Sequence, residues 1–144
     1  MELKDILAVA GHSGLFKYIA QSSNGVIVES LLDGTRTKMA ATARISSLTE
    51  IAVFTDREEL PLSKLFDLLF AHTDGRETIS PKSTPDQMKA LFTKVLPDYD
   101  RDRVHVSDMK KVIAWFNILV AAGMTKFTSD DSEEKEEKSE EEKL

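Results

Sequence analysis

Leu15-Phe16-Lys17-Tyr18-Ile19-Ala20, Ser22-Ser23-Asn24-Gly25 and Val26-Ile27-Val28-Glu29-Ser30 form the stretch whose reading decides the fold. Two runs rich in β-branched and aromatic residues flank an Asn-Gly pair. Both turn residues tolerate the positive φ that a type I′ turn requires, so the stretch reads as a β-hairpin. A second turn follows at Asp33-Gly34. The chain then runs out from Thr35 to Ile45, pauses at a single helical turn near Ser47-Leu48-Thr49-Glu50, and returns as Ile51-Ala52-Val53-Phe54-Thr55. The expected architecture is a four- or five-stranded antiparallel meander, curled into a small barrel or half-barrel of SH3-like or Sm-like kind.

Working outward, Leu3, Ile6, Leu7 and Ala10 fall at helical spacing before Gly11, which predicts a short helix over residues 2–10. On the other side, Pro61 opens a second helix whose apolar stripe is Leu62, Leu65, Phe66, Leu69 and Phe70. Thr73-Asp74-Gly75 stops it, and residues 76–83 have the Ser, Thr and Pro content of a linker. Thr84-Pro85-Asp86-Gln87 then carries a capping Thr, Pro at the first helical position and Gln three residues after the cap. The helix it starts presents Met88, Leu91, Phe92 and Val95, and a polar loop leads to a last helix capped near Ser107-Asp108.

The fold class expected is α+β, in three parts: a small β-barrel domain with terminal helices at 1–75, a helix-loop-helix module at 84–124, and a disordered acidic tail at 125–144. The tail follows from charge. Residues 129–144 hold nine acidic residues and three lysines, which accounts for the whole net charge of −6 and leaves the rest formally neutral. A run such as Asp130-Asp131-Ser132-Glu133-Glu134 has no apolar side chain whose burial would offset the entropy of ordering it. Such a segment either solubilises the chain or competes for a basic face or basic partner.

Hydrophobic residues at 41% suffice for a core, and the chain has no cysteine. Disulfides, thiolate metal sites and cysteine nucleophiles are thereby excluded, in keeping with a reducing cytoplasm. The longest apolar run, Val112 to Met124, is broken by Asn117 and falls short of the roughly 20 residues of a membrane span, so no membrane association is expected.

Met1-Glu2-Leu3-Lys4-Asp5-Ile6-Leu7-Ala8-Val9, Gly14-Leu15-Phe16, Val28-Glu29-Ser30-Leu31, Ser47-Leu48 and Ile51-Ala52-Val53-Phe54-Thr55-Asp56 resemble a family of short proteins from Bacteroidetes-type bacteria described as a domain of unknown function. Ser107-Asp108-Met109-Lys110-Lys111 and Trp115-Phe116-Asn117 are similar to its helical second part. The resemblance covers most of the chain before the tail. It implies a bacterial cytoplasmic protein and brings no catalytic or binding residues with it.

No motif supplies a catalytic constellation. Gly11-His12-Ser13-Gly14 lacks the second glycine of a nucleophile elbow, since Leu15 stands there. Asp98, Asp100 and Asp102 match the first ligand positions of an EF-hand loop, but Arg103 replaces its turn glycine and Met109 its bidentate Glu, so a structural loop and no metal are expected. His12, His72 and His105 stand apart from one another, and no glycine pattern cradles a phosphate, so no cofactor is expected.

Three function classes follow. The first is a non-enzymatic interaction module that binds a protein partner or itself. In the last helix Val112, Phe116, Leu119 and Val120 can meet the preceding helix, which leaves Ile113, Trp115 and Ile118 for another contact. That contact is expected to be a homodimer or, as runner-up, a tight intramolecular docking; Phe16 and Tyr18 complete the candidate interaction residues. The second class is a small barrel binding single-stranded nucleic acid through Arg36, Lys38 and Arg44 beside Phe16 and Tyr18. The third is an enzyme or small-ligand protein whose site is assembled from residues distant in sequence, which a deep polar pocket holding a His and a carboxylate would reveal.

Overall fold

The computed structural model describes residues 2–12 and 14–127. A single 3-10 turn, Leu3–Asp5, leads into strand β1, Ile6–Val9, where the residue spacing suggested a helix. Ile6 and Ala8 pack in the main core while Leu7 and Val9 pack in a second cluster. A short strand that is apolar on both faces shows no alternation, and periodicity cannot tell it from a buried helical turn.

Strands β2 (Phe16–Ser22), β3 (Gly25–Ser30), β4 (Arg36–Ala40) and β5 (Ile45–Ser47) join β1 in an antiparallel sheet of spatial order β4-β3-β2-β1-β5. The outermost strands β4 and β5 do not pair with each other, so the sheet is open and no closed barrel forms. β5 takes the free edge of β1 instead of pairing with β4, setting Leu7 opposite Ser47 and Val9 opposite Ile45. The single helical turn expected near Ser47-Leu48-Thr49-Glu50 is present as a 3-10 turn, Leu48–Glu50, capped by the Ser47 side chain, which accepts from the Thr49 amide.

The β2-β3 hairpin forms with Ser23-Asn24 between the paired residues Ser22 and Gly25. Neither Asn24 nor Gly25 has a positive φ, so the expected type I′ turn is not the one adopted. Gly25 is needed for a different reason: a Cβ there would stand 1.9 Å from the Met39 carbonyl oxygen on β4. A register shift between Tyr18 and Ala20 leaves Ile19 as a bulge. Bulges add local twist, which compensates for a turn that lacks the twist of the primed types.

Strands β6 (Ala52–Phe54) and β7 (Glu59–Pro61) form a separate two-stranded ribbon. Three helices follow: α1 (Leu62–Thr73), α2 (Pro85–Val95) and α3 (Val106–Ala121). The predicted capping box of α2 is in place: the Gln87 amide donates to Thr84 Oγ1 at 3.2 Å and the Thr84 amide donates to Gln87 Oε1 at 3.0 Å. The start of α3 lies slightly earlier than Ser107-Asp108 suggested, with His105 in place of Ser107 as the cap residue and its amide donating to Asp108 Oδ2.

One buried cluster joins Leu3, Ile6 and Leu15 of the sheet region to Phe66 of α1, Phe92 of α2 and Phe116 of α3. It does not stop at residues 76–83. Ile79 packs against it, and Asn117 clamps the stretch by accepting from the Thr78 amide at 2.8 Å and donating to the Ile79 carbonyl at 3.0 Å. The polar linker therefore lies along α3 and covers part of its face. Phe127, inside the 125–144 range assigned to the tail, is 1% exposed. Its ring lies 5.6 Å from Phe66 and 5.9 Å from Phe116, so the ordered chain reaches at least that far. The rest of the predicted tail, 128–144, lies outside the described residues.

Candidate interaction groove

Helix α3 has two faces. Met109, Val112, Ile113, Phe116 and Leu119 are buried, which accounts for its unusual apolar content by packing within the same chain. Residues Ser107, Lys110, Lys111, Ala114 and Trp115 repeat at spacings of three and four and share another face. Opposite them stand Ala8 of β1, Ser46 of β5, and His12 and Arg44 from the flanking loops. Between the two sides runs an open groove of about 680 Å³.

Three cations, Arg44, Lys110 and Lys111, line this groove together with His12, and among the described residues no Asp or Glu does. None of the three makes an ion pair with any described residue. The half-buried Trp115 also lines a second, smaller hollow of about 280 Å³ with Ile51, Phe54, Phe92 and Val104. The indole thus presents an apolar surface at the junction of two cavities, beside Arg44, Lys110 and Lys111 in the larger one and beside Arg103, Lys111 and Asp108 in the smaller.

The predicted site residues are distributed as follows. Ile113 is 0% exposed and belongs to the core, so it offers no surface, whereas Trp115 and Ile118 are half-buried. Ile118 lies against the 77–81 stretch and not in the Trp115 groove. Phe16 is buried in the second cluster with Val9, Val28 and Met39, while Tyr18 is 41% exposed. Strand register sets Phe16 and Tyr18 on the face of Leu7 and Val28, and Arg36 and Lys38 on the opposite face with Glu29 and Ile27. The aromatics and strand cations grouped from the sequence therefore cannot form one stacking platform. Arg36 is further occupied by Glu29, at 3.2 Å. Only Arg44 joins Trp115.

The sequence reading missed Lys110, Lys111 and His12. Lys111 and Trp115 lie four residues apart on a helix, a spacing visible in the sequence. The contribution of β1 was not, because that segment read as a helix.

The Asp98–Asp102 loop is built by its own bonds. Asp100 Oδ1 accepts from the Asp102 and Arg103 amides and Oδ2 pairs with Arg103 Nε at 2.8 Å, while Asp98 faces Arg57 at 3.6 Å. The Tyr99 region continues the ribbon, with the Asp100 amide donating to the Phe54 carbonyl. Arg103 stacks over the Phe54 ring at 4.4 Å. Among the described residues no three acidic or His side chains gather at metal-binding distance.

The Arg103 hydrogen bond, then the Asp102 amide, holds the Asp100 carboxyl below its ordinary value of 3.8. Because the folded value is depressed, its stabilising contribution is present above the unfolded value and is lost as pH falls through the folded one. Asp100→Asn should therefore melt lower than the parent near neutral pH, with the gap narrowing as pH drops below about 4. A gap that is constant across acid titrations followed by circular dichroism would rule this out.

Two family models cover the chain, both described as domains of unknown function: DUF5606 over residues 3–48 and DUF6852 over residues 51–119. Their junction falls at the 3-10 turn after β5, so the first takes in the five-stranded sheet and the second the ribbon and helices. A solution NMR structure of a structural-genomics target from Bacteroides vulgatus is 44% identical, with a TM-score of 0.73, over 87% of this chain and 90% of that one. The chain belongs to the family of that protein. No curated protein matches it. The family resemblance read from the sequence is thus found in both halves, and the groove lies between them, with Arg44 from the DUF5606 segment and Lys110, Lys111 and Trp115 from the DUF6852 segment.

Proposed function

We propose that this family member is a non-enzymatic interaction module that receives an acidic protein segment in the groove between β1, β5 and α3. One observation carries the reading: Trp115 lies at the junction of two hollows beside Arg44, Lys110 and Lys111, with no acidic residue among the described residues that line the larger one. An aromatic anchor in a pocket with cations around it is the composition of a binding hot spot. Positive charge beside it steers an anionic partner and sets register. Among the described lining residues His12 is the one histidine and no carboxylate stands with it to orient it, which favours binding over acid-base catalysis. A cytoplasmic site of action belongs to the same reading, in keeping with the absence of cysteine. No helix among the described residues is long and apolar enough to cross a membrane.

Trp115 is the single tryptophan, so its fluorescence reports on the groove directly. A Glu-rich synthetic peptide should shift its emission with an affinity that falls as salt rises. Lys110→Glu with Lys111→Glu should weaken that binding by at least about tenfold. A response to an oligothymidylate of equal charge but not to the peptide would reassign the groove to nucleic acid. Response to neither would overturn the proposal.

A further inference from the structure

Resting on that reading, we infer that the groove is occupied in the free protein by the chain's own acidic segment, residues 130–142, which acts as an internal competitor for the partner. Three observations on the molecule converge.

The first is charge complementarity confined to the two parts. Residues 129–144 carry nine acidic side chains and three lysines, a balance of −6, while the remainder has 16 acidic and 16 basic residues. Positive charge in the folded part is therefore local, and the Trp115 groove concentrates Arg44, Lys110 and Lys111 without a counter-charge among its described lining residues, Asp108 standing beside Lys111 only in the adjoining smaller hollow. These cations keep no ion pair with the described residues, whereas Arg36, Arg57 and Arg103 each have an acidic partner.

The second is the anchor. Phe127 is buried against Phe66, Phe70 and Phe116, and Phe116 is the chain neighbour of Trp115. The acidic segment thus leaves the core from a point packed on α3, the helix that supplies Lys110 and Lys111. Asp130 follows only three residues after the anchor.

The third is reach. Seventeen residues, 128–144, span up to about 60 Å when extended. A folded unit of this size has a radius of gyration of about 14 Å, so the whole of its surface is within range. Tethering supplies an effective concentration on the order of 1 mM. Even an intrinsic affinity as weak as about 0.1 mM then leaves the groove roughly nine-tenths filled, and lowers the apparent affinity for an outside peptide about tenfold. A partner more acidic, or bound by further contacts, displaces the segment; a weakly acidic one does not.

The test uses the full chain and a full-length variant carrying Glu133→Gln, Glu134→Gln, Glu136→Gln and Glu137→Gln. Emission from Trp115 in the parent should depend on salt between about 0.05 and 1 M, where the screening length falls from above 10 Å to about 3 Å. The variant should show little of this dependence, and should bind an added synthetic peptide of sequence 128–144 about tenfold more tightly than the parent does. Equal peptide affinities in parent and variant would overturn the internal competitor while leaving the groove proposal intact. Absence of peptide binding to both would sink both proposals. Sedimentation at low salt decides the remaining possibility: a parent that doubles in mass while the variant does not would place the segment in a neighbouring copy, against the intramolecular contact inferred here.

Discussion

Phe127→Ala should lower the stability of the protein by about 3–5 kcal/mol, the usual cost of truncating a buried aromatic side chain. The expected fall in melting midpoint is ten degrees or more, on the order of 3–4 °C per kcal/mol for a chain of this size. The residue lies at the edge of a strongly acidic stretch, where composition alone would mark it as dispensable. Its environment says otherwise: it is 1% exposed, and its ring lies within 6 Å of the rings of Phe66, Phe70 and Phe116. Alanine would leave a cavity among three aromatic residues on two helices, which cannot collapse without moving α1 or α3. Thermal melting of the full-length variant decides the matter. A midpoint within two degrees of the parent, at roughly half a kcal/mol, would mean that Phe127 is not part of the core.

Gly25→Ala is expected to destabilise the sheet by about 1–3 kcal/mol or more, although an added methyl group is small. The Cβ would be 1.9 Å from the Met39 carbonyl oxygen and 2.9 Å from its carbonyl carbon. Backbone atoms cannot rotate aside as a flexible side chain can, so β4 must shift away from β3. The pairs Gly25–Ala40 and Val26–Met39 should open first, which exposes Met39 and weakens the second cluster around Phe16 and Val28. Hydrogen exchange reads this locally: amides of β4 should lose protection while those of α2 and α3 keep theirs. Uniform protection in the variant, with an unchanged midpoint, would contradict the close approach.

The same glycine shows how sequence and structure divide the information. An Asn-Gly pair between two β-rich runs located the hairpin correctly, because a strand-turn-strand pattern is a local property of the chain. The reason for the glycine was not local. It was assigned to a positive φ in a type I′ turn, whereas it is required by the backbone of β4 at Met39. The helix caps follow the same division. Thr84-Pro85-Asp86-Gln87 was legible because every bond of a capping box lies within four residues.

The sequence by itself determined the α+β class, the β2-β3 hairpin, the single helical turn at Ser47, all three helices and the family resemblance. These rest on periodicity, capping and turn chemistry acting over a few residues. Only the tertiary structure decided that residues 6–9 form a strand, since the signal for a strand buried on both faces comes from its neighbours and not from its own pattern. It also decided that Ile113 is interior while Trp115 is not, that Arg36 and Lys38 lie across the sheet from Phe16 and Tyr18, and that Arg44 meets Lys110 and Lys111. Those outcomes depend on strand register and on which face of α3 the remainder of the chain covers. A one-residue change in register reverses every side chain of a strand, so no reading of single segments could have fixed them.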